Sequence, residues 1–154
     1  MSFAGTLEAI YLVGDAAAPL VRVDSVRAVA GTGLDGDRYA LRRGTFSGPP
    51  LEDREVTLIE IETIEALARD GLELAPGAAR RNLVTRGVPL NHLVGVEFAI
   101  GDAVIRGRRL CEPCDHLAKL TSSTIMKALI HRGGLRAQVI VGATVRIGDS
   151  IRSR

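Results

Sequence analysis

Arg108 to Leu117 reads RRLCEPCDHL. Both cysteines of the chain, Cys111 and Cys114, lie in it, three positions apart with Pro113 between them. Thiolates at that spacing can supply half of a zinc site, form a redox couple, or leave one working thiolate beside a neighbour. A zinc site needs two further ligands. The chain has no second C-x-x-C and no closely spaced histidine pair, and His92, His116 and His131 are scattered. Any four-ligand site would have to be assembled by the fold. A thioredoxin-like couple comes early in its chain and has a proline-bearing strand downstream. Here the pair begins at residue 111 and no proline follows Pro113. A simple reversible disulfide stays open. Haem attachment requires C-x-x-C-H, and Asp115 stands where the histidine belongs. In the remaining reading one cysteine works as a thiolate. Arg106, Arg108, Arg109, Lys119 and His116 favour its charged form. A helix starting near Asp115 would add its positive dipole end. A thiolate ligates soft metals or carries sulfur.

Three other groups could meet a ligand. Gly31, Gly33 and Gly36 spell G-x-G-x-x-G, but Asp35 and Asp37 would place negative charge near a pyrophosphate, and DRYALRRGTFSGPP is a poor helix. The glycines read as turn formers, and Asp37 and Arg38 as candidates to line a pocket. Arg81 and Asn82, in Arg80-Arg81-Asn82, open a strand; an arginine fork there can hold carboxylate or phosphate, or make a surface salt bridge. His131 to Arg136 (HRGGLR) sets cations around two glycines, as a phosphate cradle or a plain hairpin turn would.

These residues must be positioned by a small fold. At 154 residues the chain suits one domain, 1–154. Hydrophobic residues make up 46% and charged residues 25%, as in globular proteins that build a core without disulfides. No stretch of about 18 apolar residues suggests a membrane span. The N-terminus lacks the basic head and cleavage site of a signal peptide, so a reducing cytoplasm is expected, where close cysteines are more often catalytic or metal-binding. Residues 1–79 hold 7 Lys and Arg against 13 Asp and Glu, a charge of −6; residues 80–154 hold 13 against 5, giving +8. The basic half carries both cysteines and suits a small anion. Three Phe, two Tyr and no Trp are too few for base stacking, so nucleic acid is not an expected partner.

Alternation predicts strands over Thr6–Val13, Val21–Val29, Glu55–Ile59, Arg81–Thr85, Gly95–Ile100, Ala103–Leu110, Leu135–Val141 and Thr144–Ile147, the last clear one. Gly31–Pro50 reads as a long loop. Gly101-Asp102 is a hairpin turn, and Gly142-Ala143 and Gly148-Asp149 are further turns. Helical spacing marks Glu60–Asp70, stopped by Gly71, and Thr121–Ile130, capped by Thr or Ser. Many short strands and two helices predict a mainly β protein, a β-barrel with short helical additions.

In order along the chain, GLDGDRY at Gly33–Tyr39, VTLIEIETIEAL at Val56–Leu67, RRNLVTRGVPLNHLVGVEFAIGD at Arg80–Asp102, EPCDHL at Glu112–Leu117 and HRGGLRAQVIVGATVRIGDSI at His131–Ile151 resemble the MOSC domain, named for the C-terminal domain of molybdenum-cofactor sulfurases. The resemblance runs from about Thr6 to Ile151 and implies a closed barrel of the pyruvate-kinase-barrel type. It implies that Cys114 is the working residue. In larger family members the matching cysteine ligates the molybdenum of the cofactor, in enzymes that reduce N-hydroxylated compounds. For standalone members a sulfur-carrying role toward metal–sulfur clusters has been proposed. The implied activity is thus a sulfurtransferase or a molybdenum-dependent reductase component. Its partners would be an anionic cofactor, molybdopterin, and a sulfur-donor or electron-transfer protein. Arg81, Asn82 and Arg136 match family positions suited to the pterin phosphate or the pocket wall. The chain lacks the extra N-terminal domain of the molybdenum reductases and the aminotransferase-like domain of the sulfurases, so pyridoxal phosphate is not expected. Cys111 departs from the single-cysteine pattern. It could resolve a persulfide on Cys114 or be an inert neighbour. A zinc-binding interaction module and a thiol–disulfide switch, both using Cys111 and Cys114, remain the alternatives.

Overall fold

A computed structural model of the chain describes residues 2–14, 19–37, 40, 55–74, 79–111 and 127–154. Eleven strands are described: β1 (Ala4–Leu12), β2 (Val21–Val23), β3 (Ser25–Val29), β4 (Gly33–Leu34), β5 (Val56–Glu60), β6 (Leu83–Arg86), β7 (Glu97–Ile100), β8 (Ala103–Leu110), β9 (Leu135–Val141), β10 (Ala143–Arg146) and β11 (Ser150–Ser153). Helix α1 (Ile61–Arg69) follows β5, and a short 3-10 helix covers Leu90–His92.

Seven strands close a barrel in the order β1-β11-β7-β8-β9-β5-β6, with β6 returning to β1. Among the described strands only β5 and β6 pair in parallel; α1 makes the crossover that a parallel pair needs. Alternation fills the interior. Leu135, Ala137 and Val139 of β9 point inward with Leu58, Leu83, Phe98, Ile105 and Ile151, while Arg136 and Gln138 point outward. The strands β10, β3 and β4 form a separate small sheet that packs Val26, Ala28, Leu34 and Val145 into the same core.

A second apolar cluster lies on the outer face. Ile64 and Leu67 of α1 bury against Ile59, Val84, Ala79 and Leu129. Glu62 in its first turn and Arg69 in its last complement the helix dipole. Its end is a Schellman motif: Leu72 N donates to Leu67 O at 2.8 Å, Gly71 N donates to Ala68 O at 3.0 Å, and Gly71 has φ +80°.

The mainly β barrel expected from the sequence is therefore the fold. Three expectations about elements need correction. Val21–Val29 is not one strand: it breaks at Asp24, whose carbonyl accepts from Ile147 N at 3.0 Å, and the halves join different sheets. Thr144–Ile147 is not the last strand, because β11 follows it and closes the barrel. Gly33-Leu34, placed in a loop, pairs with β3. Of the expected second helix, Thr121–Ile130, residues 121–126 lie outside the described residues; Lys127 and Ala128 are helical. No helix among the described residues is long and apolar enough to cross a membrane.

Candidate functional site

The candidate residues gather where β8 ends, β9 begins and the chain enters β6. Arg81 is the hub. Its guanidinium is buried and donates to three carbonyls: Nε to Gly133 O at 2.8 Å, Nη1 to Ala79 O at 3.2 Å and Nη2 to Cys111 O at 3.3 Å. A buried charge is tolerable when its donors are directed at acceptors, and the planar fork suits three carbonyls from three segments. Arg81 here ties the backbone together.

Cys111 is locked on both sides. Its N–H donates to Gly134 O at 2.8 Å, its carbonyl accepts from Arg81, and its side chain is only 1% exposed. A thiol so placed is out of reach of a bulky donor or acceptor. Cys114, with Glu112, Asp115, His116 and Lys119, lies outside the described residues, as does Arg38.

Asn82 is the centre of a second knot. Its Nδ2 donates to Tyr11 O and to Asp37 Oδ1, both at 3.1 Å, and its Oδ1 accepts from the backbone N–H and the hydroxyl of Thr57, both at 3.1 Å. Two donors and two acceptor positions exhaust an amide side chain. Asp37 is fully buried and also accepts from Val13 N at 3.1 Å. The pair thereby joins β1, β5 and the entrance to β6 to the turn after β4. The glycines of GTGLDG serve geometry, as expected: a Cβ on Gly33 would stand 2.5 Å from Glu55 O, and Gly31, Gly33 and Gly36 all have positive φ.

Arg136 sits on the outer face of β9. Its ladder neighbours are Thr57 on β5 and Arg109 on β8. Arginines directly opposite on one face repel. Arg80 and Arg136 each also bury one terminal guanidinium nitrogen. Two non-glycine residues nearby, Arg80 (φ 58°) and His131 (φ 63°), adopt left-handed backbone. Strain of this kind is common where surrounding structure must hold a site in place.

Of the described candidates, the structure brings Arg81 and Cys111 together and sets Asn82 and Asp37 in the adjoining knot. Arg136 connects to that knot through Thr57. Sequence reading did not single out Thr57, Tyr11 or Ala79, and read Gly133 only as one of the two glycines of HRGGLR. Three of these four act through main-chain carbonyls, which carry no residue-type signal. Thr57 lies inside a β-branched run where nothing marks its hydroxyl.

A model of the MOSC domain matches residues 34–152. Among solved structures, the chain is similar to the YuaD protein of Bacillus subtilis, at 16% identity over 99% of this chain and 96% of that one, with a TM-score of 0.84. It is similar to YiiM from Geobacillus stearothermophilus, at 16% identity, 97% and 75% coverage and a TM-score of 0.72. It is also similar to YiiM from Escherichia coli, at 22% identity, 100% and 71% coverage and a TM-score of 0.66. These likenesses carry the fold. No curated protein sequence matches the chain.

Proposed function

Because the chain belongs to the MOSC domain family, we propose that it is a sulfur carrier that works through one thiolate, Cys114, in a reducing compartment such as the cytoplasm. The observation that carries this reading is the burial and two-sided locking of Cys111. With one of the two thiols committed to the core, the exchange chemistry falls to the other. The arginines beside the chain where it leaves β8 support an anionic sulfur, since nearby cations favour a thiolate over a thiol.

In the transfer, the Cys114 thiolate attacks the outer sulfur of a donor persulfide. A new S–S bond forms at Cys114 Sγ, the donor's S–S bond breaks, and the donor leaves as a thiolate with the electron pair. An acceptor nucleophile then takes the outer sulfur in the same way and restores the Cys114 thiolate. No net oxidant or reductant is needed. The donor is a persulfide-bearing protein, and the acceptor a metal–sulfur assembly or a cofactor under maturation.

Binding of molybdenum cofactor, with reduction of N-hydroxylated compounds as the larger relatives' chemistry, is the second reading. The donor set fits it only in part. Asn82 has no side-chain capacity left, and Arg81 is directed at three carbonyls. Arg109 and Arg136, ladder neighbours, set two positive charges on that side. When bound, the cofactor would supply the redox metal, and Cys114 would be its thiolate ligand.

The test is to purify the protein from cells supplied with molybdenum cofactor and to assay sulfane sulfur and molybdenum together. Sulfane sulfur is expected on the parent and on Cys111→Ser, and not on Cys114→Ala. Equal amounts of both on Cys114→Ala and the parent would refute either reading. A stoichiometric zinc lost from both cysteine variants would replace them with an interaction module.

A further inference from the structure

A separate polar group lies at the mouth of the barrel where β5 and β6 end. Glu60 and Thr85 are ladder partners, so their side chains leave the sheet on one face. That face is the interior, since Leu58 and Leu83, two positions earlier on each strand, belong to the barrel core. Residues 87–90 cross above them. Glu62 Oε2 accepts from Gly87 N at 2.8 Å, and Glu60 Oε2 accepts from Leu90 N at 3.2 Å. Two carboxylates thus hold this strap near both ends.

Two oxygens of the group are buried without a hydrogen-bond partner: Glu62 Oε1 and the hydroxyl of Thr85, a residue that is fully buried. Buried polar atoms are nearly always satisfied, so an exception calls for a ligand, an ion or a water. The nearest cation in sequence, Arg86, points elsewhere and pairs with Glu8 and Glu65. Burial raises the Glu60 carboxyl above its ordinary value, and Glu62 acts in the same direction; the Leu90 N–H and His92 oppose them. Among the described residues no three His, Cys, Asp or Glu side chains come together. Glu60, Glu62 and Thr85 themselves offer only oxygen, which suits a hard cation that keeps most of its water shell and not a sulfur- or nitrogen-seeking metal.

We propose that Glu60, Glu62 and Thr85 form a binding site for a hard divalent cation, Ca²⁺ or Mg²⁺, beneath the 87–90 strap. The inference is independent of the sulfur-carrier reading. It has a structural consequence for that site, because the strap continues into Asn91, whose Nδ2 donates to His131 O at 2.6 Å. A cation at the mouth would stiffen the segment that leads into β9 beside the Arg81 clamp.

The test is thermal unfolding of the full chain, freed of metal by a chelator and titrated with CaCl₂ against KCl of equal ionic strength. At about 10 mM CaCl₂ the parent is expected to gain about 3 °C, as for a ligand at roughly ten times a millimolar Kd. The gain should vanish in Glu62→Gln and fall by at least half in Thr85→Val. The valine keeps the shape of the side chain and removes only a hydroxyl with no partner, so this variant is expected to fold. No gain in the parent would overturn the proposal. An equal gain in the parent and Thr85→Val would overturn it too, leaving that hydroxyl to a buried water.

Discussion

Arg81 shows how one side chain can set the geometry of a site without touching a ligand. Its fork spans the carbonyls of Ala79, Cys111 and Gly133, and no other residue type presents donors in those fixed directions. Lysine keeps the charge but offers a flexible point donor. Arg81→Lys is expected to lower stability by about 2 kcal/mol, the scale of lost hydrogen bonds from a charged group, measured by urea unfolding. Unchanged stability would mean that the fork contributes nothing. Glu60 gives a prediction of opposite sign. Its folded carboxyl holds a proton more tightly than the unfolded chain does, mainly because it is buried. Between the ordinary value of 4.5 and the raised folded value, the native state binds more protons, so this group's contribution to stability falls as pH rises. Glu60→Gln keeps an acceptor for Leu90 N–H and removes the buried charge. In chelator-containing buffer the variant is expected to melt higher than the parent at about pH 7, with the difference closing toward about pH 4. A variant that melts lower at neutral pH would contradict the sign. At this scale the sequence was legible for residue types and poorly legible for roles. Arg81 stood out as an anion ligand because an arginine fork commonly is one, and Asn82 stood out only through its match to the family's Arg-Asn segment. Their spent hydrogen bonds depend on carbonyls of Tyr11, Ala79, Cys111 and Gly133, brought together only by the fold.

Among the elements, β9 was readable because Leu135, Ala137 and Val139 alternate with Arg136 and Gln138, and only one face meets the core. Helix α1 was readable from its apolar spacing and its glycine stop. By contrast, β11 is Ser-Ile-Arg-Ser, with one core residue, Ile151. No periodicity can emerge from one apolar position; the strand exists because β1 and β7 present open edges to it. Val21–Val29 shows the reverse problem, since continuous alternation hid a corner at Asp24. Close backbone approach at the site entrance explains a glycine of HRGG: a Cβ on Gly134 would stand 1.9 Å from Leu58 O, at φ +109°. Gly134→Ala is expected to cost about 3 kcal/mol or more, through the clash and the left-handed backbone together. Circular dichroism melting would check it, and a neutral result would show that the β5–β9 contact is looser than the barrel requires.

For the whole molecule, closure is what the last strand contributes. Without β11, β1 and β7 would each expose an edge, and Ile151 would leave the core. Deleting residues 150–154 is therefore expected to give an aggregating or unfolded chain by size-exclusion chromatography and circular dichroism. A monomer with the parent's melting temperature would contradict the barrel's dependence on closure. The closed barrel also commits Cys111, packed at the end of β8, to the clamp, and the proposed working thiolate is for that reason Cys114. The most direct test of the central claim is intact-mass measurement of the native protein after exposure to a persulfide donor. The expected result is one added sulfur atom on the parent and on Cys111→Ser, removable by a thiol reductant, and none on Cys114→Ser. Sulfur retained by Cys114→Ser, or lost from Cys111→Ser alone, would contradict the assignment of the working thiolate to Cys114.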